Sequence, residues 1–286
     1  MIIKPTPDTA RHQDIPAQFP KPILKILVKA VQKVIDAYEA EEHLSASERA
    51  NFEETPLRAA KAWYEINIQG SEVEQSFSFG DSEQLTSYVD QLRDETIASF
   101  GSKVEAFKEV RECLQTGFPM EHTDDPGMIT QGPILATGLC PHHLLPVAYE
   151  IFVAYMPSPK GTVLGLSKIA RIAIALAQRP VLQEQVGVDI AETFYAQNEN
   201  DPRPQMESMG SAVQLIGSHS CMACRGVRSS ALTLTTVLRG SFAGDSAKQE
   251  FYQAIESIRK SRIDVTGSPE DEGEDDDDPS AGDLDD

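Results

Sequence analysis

Tyr149-Glu150-Ile151-Phe152-Val153-Ala154-Tyr155 runs towards Pro157, and Gly165-Leu166-Ser167-Lys168-Ile169-Ala170-Arg171-Ile172 follows a few residues later. The first run is aromatic and β-branched, which predicts a strand. The second places Ile169, Ile172, Ala173 and Leu176 at helical spacing, which predicts an amphipathic helix. Working outward, a second helix follows Pro180 and carries Val186, Ile190, Ala191 and Phe194. Ala212 to Ile216 reads as a short strand and Val227 to Leu238 as a longer one. Residues 246–262 read as a closing helix with Phe251, Ala254, Ile255 and Ile258 facing inwards. Upstream, apolar residues from Ile23 to Tyr38 recur at helical spacing. Another helix is expected to run from Thr55 towards Gly70, with the Thr55 hydroxyl as N-cap and Pro56 at the first helical position. This order predicts an α+β protein with a mainly antiparallel sheet and packed helices, preceded by an N-terminal helical region. The expected divisions are an extended arm (1–20), a helical region (21–118) whose stretch 71–118 is polar, a main domain (119–265), and an acidic disordered tail (266–286).

The sequence has 286 residues, of which 40% are hydrophobic, enough for a substantial core. It contains no apolar run long enough to span a bilayer. Met1-Ile2-Ile3-Lys4-Pro5 does not open a signal peptide, so a cytoplasmic setting is expected. The formal net charge is −20, which argues against general nucleic-acid binding. Much of that excess lies in the tail, where Asp275-Asp276-Asp277-Asp278 is the densest run. Such a segment repels itself and buries nothing, so it is expected to stay unfolded as a solubilising tail or a partner-binding one. The sequence has no internal repeat, Walker loop or dinucleotide-binding glycine motif.

The chemistry concentrates in two segments, Cys140-Pro141-His142-His143 and His219-Ser220-Cys221-Met222-Ala223-Cys224-Arg225-Gly226. Thiolate and imidazole donors gathered in a cytosolic chain suit zinc better than disulfides. Two readings of the spacing stay open. A closed structural site would take Cys140, His143, Cys221 and Cys224. A catalytic site would take three protein ligands and keep one position for water. Cys113 reads as a helix core position, and His12, His43 and His122 as surface histidines.

Gly138-Leu139-Cys140-Pro141-His142-His143-Leu144-Leu145-Pro146 resembles the zinc segment of the GTP cyclohydrolase I family. Four more segments are similar to that family in the same order: Thr55 to Trp63, Gly165 to Ile172, Arg179 to Glu184, and His219 to Val227. The resemblance implies a tunnelling fold, in which small sheets pair into a barrel within a ring, commonly a homodecamer of two pentamers with sites between subunits. It implies Cys140, His143 and Cys221 as Zn2+ ligands, leaving Cys224 outside, and His142 and His219 as the acid–base pair. Gln183 and Glu184 match the guanine-reading positions. Ser167, Lys168, Arg171 and Arg225 match the triphosphate site, with Arg58 and Lys61 assisting. The implied reaction is hydrolysis of GTP at guanine C8, giving formate and 7,8-dihydroneopterin triphosphate for a folate, biopterin or deazaguanine route.

Those roles agree with elementary chemistry. Opening a purine at C8 needs a nucleophile that a metal-bound water supplies near neutral pH. Protonation of N7 suits an imidazole, and a carboxylate can accept two N–H groups from the guanine edge. A triphosphate needs a local basic pocket even on an acidic chain. Each residue also has a plainer reading: Lys168 and Arg171 as solvated cations on a helix, Glu184 as a helix surface residue. The chain departs from the family at Pro141, where most members carry Glu, and at Cys224, an added thiol. A non-catalytic zinc scaffold and an enzyme acting on another purine or pterin are the alternative readings.

Overall fold

The computed structural model describes residues 21–42, 44–68, 82–98, 101–119, 127–159, 161–196 and 201–265. The expected arm and tail, together with His12, His43 and His122, lie outside the described residues. The N-terminal helices are α1 (Lys21–Glu42), α2 (Ala46–Ala50), α3 (Thr55–Trp63, continued by a π-turn at Tyr64–Ile68), α4 (Ser82–Ala98) and α5 (Lys103–Leu114). There follow β1 (Gly117–Pro119), β2 (Ile129–Leu139), β3 (Pro146–Pro157), β4 (Thr162–Leu164), α6 (Leu166–Ala177) and α7 (Gln183–Thr193). The chain continues with β5 (Ser208–His219), α8 (Ser220–Ala223), β6 (Thr233–Gly240) and α9 (Asp245–Val265).

One four-stranded antiparallel sheet, ordered β2-β3-β5-β6, organises the molecule. Its central strand explains why Tyr149–Tyr155 carries so few polar residues: both faces are covered. Ile151, Val153 and Tyr155 join Val213 and Leu215 against α6 and α7, alongside Ile169, Ile172, Leu176 and Ile190. The alternate residues Phe152 and Ala154 meet Ala212, Phe242, Phe251 and Ile255 on the α9 side. Helix α5 belongs to the first of these cores through Ala106, Val110 and Cys113. A separate N-terminal core gathers Ile23, Leu27, Val31 and Val34 of α1 with Ala59, Ala60 and Trp63 of α3 and Val89 of α4. The result is α+β with an N-terminal helical region, as the pattern predicts.

Several local expectations are corrected. Strand β2 was not legible, because Gly132-Pro133 interrupts the alternation and the register shifts between Gln131 and Ile134. Strand β5 is 12 residues long, well beyond Ala212–Ile216. Its small flanking residues carry no apolar signal, yet pairing with β3 and β6 extends the strand through them. Strand β6 starts only at Thr233, because 225–230 instead forms a loop with left-handed backbone at Gly226 and Arg228. Thr55 is not the N-cap of α3. That position is Glu54, which makes no side-chain cap bond, and the Thr55 hydroxyl is engaged elsewhere.

Candidate metal centre and active site

The sheet register brings the two chemical segments together. Leu139 at the end of β2 faces Pro146, and Val147 faces His219 at the end of β5. The turn 140–145 and the segment after His219 therefore leave the sheet side by side. Within the turn, the Cys140 carbonyl accepts N–H bonds from His143 at 3.3 Å and Leu144 at 2.8 Å. The Cys140 N–H donates to Leu145 at 2.9 Å. This tight wrap folds His143 back over Cys140, leaving Nδ1 3.6 Å from Sγ. Leu144 reaches φ 52 in the process, a left-handed conformation uncommon for a residue with a side chain.

The ligand atoms of Cys140, His143 and Cys221 lie within 4.8 Å of one another. Metal–donor bonds of about 2.0–2.3 Å put tetrahedral donors roughly 3.5–4 Å apart, so the set needs only a small contraction to hold an ion. Hydrogen bonding from Cys221 is the chief influence holding the Cys140 thiol far below its usual range; burial opposes it, and His142 and His143 assist. The same shared hydrogen pushes Cys221 upward, with burial adding to it and Arg225 opposing. Two sulfurs contending for one proton form a donor pair that a divalent cation deprotonates fully on binding. Cys224 is exposed and its Sγ donates to the Ser220 carbonyl at 2.9 Å. It is not part of the cluster, so the closed site of three thiols and one imidazole is not assembled.

His219 stands beside this centre, with its ring edge-on to Tyr149 at 6.5 Å. Burial, followed by the charges of Cys140, Glu184 and Cys221, raises Tyr149 above its ordinary range, so this neighbour stays a neutral phenol. His219 Nε2 lies 2.9 Å from Gln183 Oε1. Gln183 Nε2 donates to the Thr233 carbonyl at 2.9 Å and to Thr235 Oγ1 at 3.0 Å. A carbonyl only accepts, so the amide nitrogen must face Thr233 and the amide oxygen must face His219. His219 Nε2 is therefore the protonated nitrogen, and Nδ1 is left to take up or release a proton. Gly217 makes room for this pair. A β-carbon there would sit 2.0 Å from Gln183 Oε1 and 3.1 Å from His219 Nε2.

The remaining expected residues divide into groups. His142 lies next to His143, the two rings edge-on at 6.4 Å. Glu184 is exposed in the first turn of α7. Helix α7 is tied to the end of α6 by buried Arg179, which bonds Asp189 Oδ2 at 2.6 Å and the Leu176 carbonyl at 3.1 Å. Arg225 is half-buried and donates through Nε to Glu65 Oε2 at 2.8 Å. Arg58 pairs with Glu54 and is partly exposed, while Lys61 lies one turn further along α3. Ser167 and Lys168 sit in the first turn of α6, and Arg171 midway along it. The α6 C-terminus packs against Gly138 beside the donor turn, where a β-carbon would lie 2.4 Å from the Ala177 carbonyl. Twelve helical residues separate the two ends, about 18 Å. Arg171, about 9 Å from the C-terminal end, pairs with Glu109 of α5 at 2.7 Å. The structure thus gathers Cys140, His142, His143, Gln183, Glu184, His219, Cys221 and Arg225, and leaves Ser167 and Lys168 at the far end of α6 with Arg171 midway along it.

Sequence reasoning missed Gly217, Glu65 and the true partner of Thr55. Gly217 sits two residues before His219 inside a strand, where a lone glycine marks a close approach. That signal was available in the sequence; the other two contacts are long-range and left none.

A four-stranded sheet with two helices between its second and third strands, and a Cys-His-Cys cluster beside a further histidine, defines an α+β protein with three donors placed where they could hold a metal ion. The GTP cyclohydrolase I family pattern matches residues 98–256. The GTP cyclohydrolase 1 of Hydrogenobaculum sp. (strain Y04AAS1) is 30% identical over 209 residues, covering 72% of this chain and 86% of that protein. That of Sulfurihydrogenibium sp. (strain YO3AOP1) is 37% identical over 158 residues, covering 54% of this chain and 79% of that protein. That of Caldanaerobacter subterraneus subsp. tengcongensis is 41% identical over 123 residues, covering 42% of this chain and 61% of that protein. The chain belongs to the GTP cyclohydrolase I family. The family match takes in α5, and no helix among the described residues is long and apolar enough to cross a membrane.

Proposed function

We propose that this chain is a zinc-dependent GTP cyclohydrolase I, converting GTP and water to formate and 7,8-dihydroneopterin triphosphate. The observation that carries the reading is the open three-donor cluster with His219 beside it, in a chain of this family. Cys140, His143 and Cys221 would hold the ion. Bound there, zinc supplies a water acidic enough to act as hydroxide near neutral pH. His219, fixed by Gln183 with its proton on Nε2, presents Nδ1 for exchange and delivers the proton that N7 needs as the imidazole ring opens. His142 serves the later steps, moving protons as the ribose opens and the ring recloses. Glu184, exposed at the start of α7, receives the N–H groups of the guanine edge. Gln183 orients His219 from the same helical turn.

The residues for the triphosphate are split in this proposal: Arg225 with the donor cluster, Ser167 and Lys168 about 14–15 Å from the C-terminal end of α6, and Arg171 about 9 Å from it. A second copy of the chain would bring its own α6 to the first copy's cluster, within a ring of two pentamers. Both sheet edges support such pairing, since Leu135 on β2 and Leu234 on β6 are 62% and 61% exposed. Thr130 Oγ1 and Gln131 Oε1 on β2 are buried without a partner. All four cysteines are free, which suits the reducing cytoplasm where we place the protein. The helical region 21–118 and the domain 119–265 remain our division of the chain, with the product passing to a folate, biopterin or deazaguanine route.

The test is GTP turnover by the full chain with and without a zinc chelator. One formate per GTP, a fluorescent pterin after oxidation, and loss of both with the chelator are the expected results. Bound zinc with no consumption of GTP would sink the proposal. His219→Ala should slow turnover by about 10²–10⁴-fold with metal content unchanged. Loss of metal from that variant would show that His219 is misassigned.

A further inference from the structure

Helix α3 grips both loops that carry the donor residues, through two side chains the proposed reaction does not use. Thr55, at its first residue, is fully buried. Its hydroxyl donates to the Pro141 carbonyl at 2.8 Å, linking positions 86 residues apart. Pro141 has no N–H, so its carbonyl is the one backbone hydrogen-bonding group this residue offers for holding the turn from outside. That carbonyl stands between Cys140 and His142, at the peptide that decides how His142 and His143 are presented. Leu144, at the strained residue of the same turn, is 3% exposed and buried in the N-terminal core with α1 and α3.

The other end of the same helical segment holds the second loop. Glu65, in the π-turn that continues α3, accepts from Arg225 Nε at 2.8 Å across 160 residues. Arg225 lies four residues beyond Cys221, and its loop is closed on itself by the Ser229 N–H bond to the Met222 carbonyl at 2.8 Å. The pair is poorly exposed, with 16% of the Arg225 side chain and 26% of Glu65 accessible. One stretch, Thr55 to Ile68, therefore touches the loop of Cys140 and His143 at its start and the loop of Cys221 near its end. Two flexible loops must otherwise be brought together at the expense of their conformational freedom before three donors can converge.

We propose that α3 and its π-turn act as a brace that sets metal affinity, with Thr55 and Glu65 as positioning residues for the two donor loops. The proposal rests on reading Cys140, His143 and Cys221 as the metal site. Groups that orient metal ligands from outside the coordination sphere typically change affinity by about 10–100-fold when removed. Thr55→Val keeps the shape and deletes the hydroxyl; Thr55→Ser keeps the hydroxyl.

The experiment titrates the metal-free full chain with Co2+, following the thiolate-to-cobalt absorption band. Competition with a chromophoric chelator gives the Zn2+ affinity, and thermal melting of the metal-free protein is recorded in parallel. Thr55→Val is expected to weaken both metals by about 10–100-fold, and Thr55→Ser to restore most of the loss. Glu65→Gln should weaken them in the same direction. A Thr55→Val protein that melts earlier but binds Co2+ and Zn2+ as the parent does would make Thr55 merely structural and overturn the brace. Should Thr55→Val fail to fold, unchanged affinity in Glu65→Gln would overturn it instead. If the parent chain binds neither metal, the donor assignment itself fails and the brace falls with it. That outcome is read before any variant is compared.

Discussion

At the residue scale, the proton on His219 is set by a residue that does not touch it through a charge. The Thr233 carbonyl fixes the Gln183 amide, the amide oxygen fixes the His219 proton on Nε2, and Gly217 leaves the space in which they meet. Gly217→Ala should therefore be more damaging than a one-carbon change suggests. The new methyl would land 2.0 Å from Gln183 Oε1, so the amide must swing away and release the ring. Turnover should fall by up to about 10²–10⁴-fold, the range that positioned acid–base groups contribute. Metal affinity, measured by chelator competition, should stay at the parent level because none of Cys140, His143 and Cys221 is disturbed. Metal loss in Gly217→Ala would mean that the strand end, and not the His219 proton, is what the glycine protects. The donor triad itself was legible from Cys140, His143 and Cys221 and their neighbours. The residues that orient it were not, because Thr55 and Glu65 are separated from their partners by 86 and 160 positions.

At the element scale, α2 shows how a short helix is pinned. Ser45 and Glu48 form a reciprocal capping box, and Glu48 also accepts from Lys103 of α5 at 2.6 Å. Burial works against the Glu48 carboxylate, yet its bonds to Lys103 and Ser45 prevail and hold it below the ordinary value of 4.5. A depressed carboxylate stabilises the fold above its unfolded value and loses that contribution as pH falls through its folded value. Glu48→Gln should thus lower stability at neutral pH by up to about 1 kcal/mol, the scale of a partly exposed pair. The gap from the parent in denaturant unfolding should close below pH 4.5. A gap that persists in acid would show that packing, not charge, is what Glu48 supplies. The helices that meet the sheet were readable because their apolar stripes are long: Ile169 to Leu176 on α6 is an example. Strand β2 was hidden by Gly132-Pro133, and α2, at 5 residues, is too short to show a period.

At the scale of the whole molecule, the separation along α6 gives the proposed assembly its sharpest consequence. Arg171 lies midway along that helix, paired with Glu109, about 9 Å from the C-terminal end that adjoins the donor turn. If a site draws its metal centre from one copy and Arg171 from the next, two different defects can be carried by two different chains. His219→Ala and Arg171→Ala should each slow turnover severely alone, the former by about 10²–10⁴-fold. When the two are coexpressed, some sites will pair the intact His219 of one chain with the intact Arg171 of its neighbour. Random mixing in a closed symmetric ring makes about one quarter of the sites whole. Activity should return to about that fraction of the parent, and only in the mixed ring isolated by a tag on each chain. If each site were complete within one chain, every site in the mixture would carry one defect, and no activity would return. The separated variants also control for folding, since both must enter the ring for the mixture to be isolated at all.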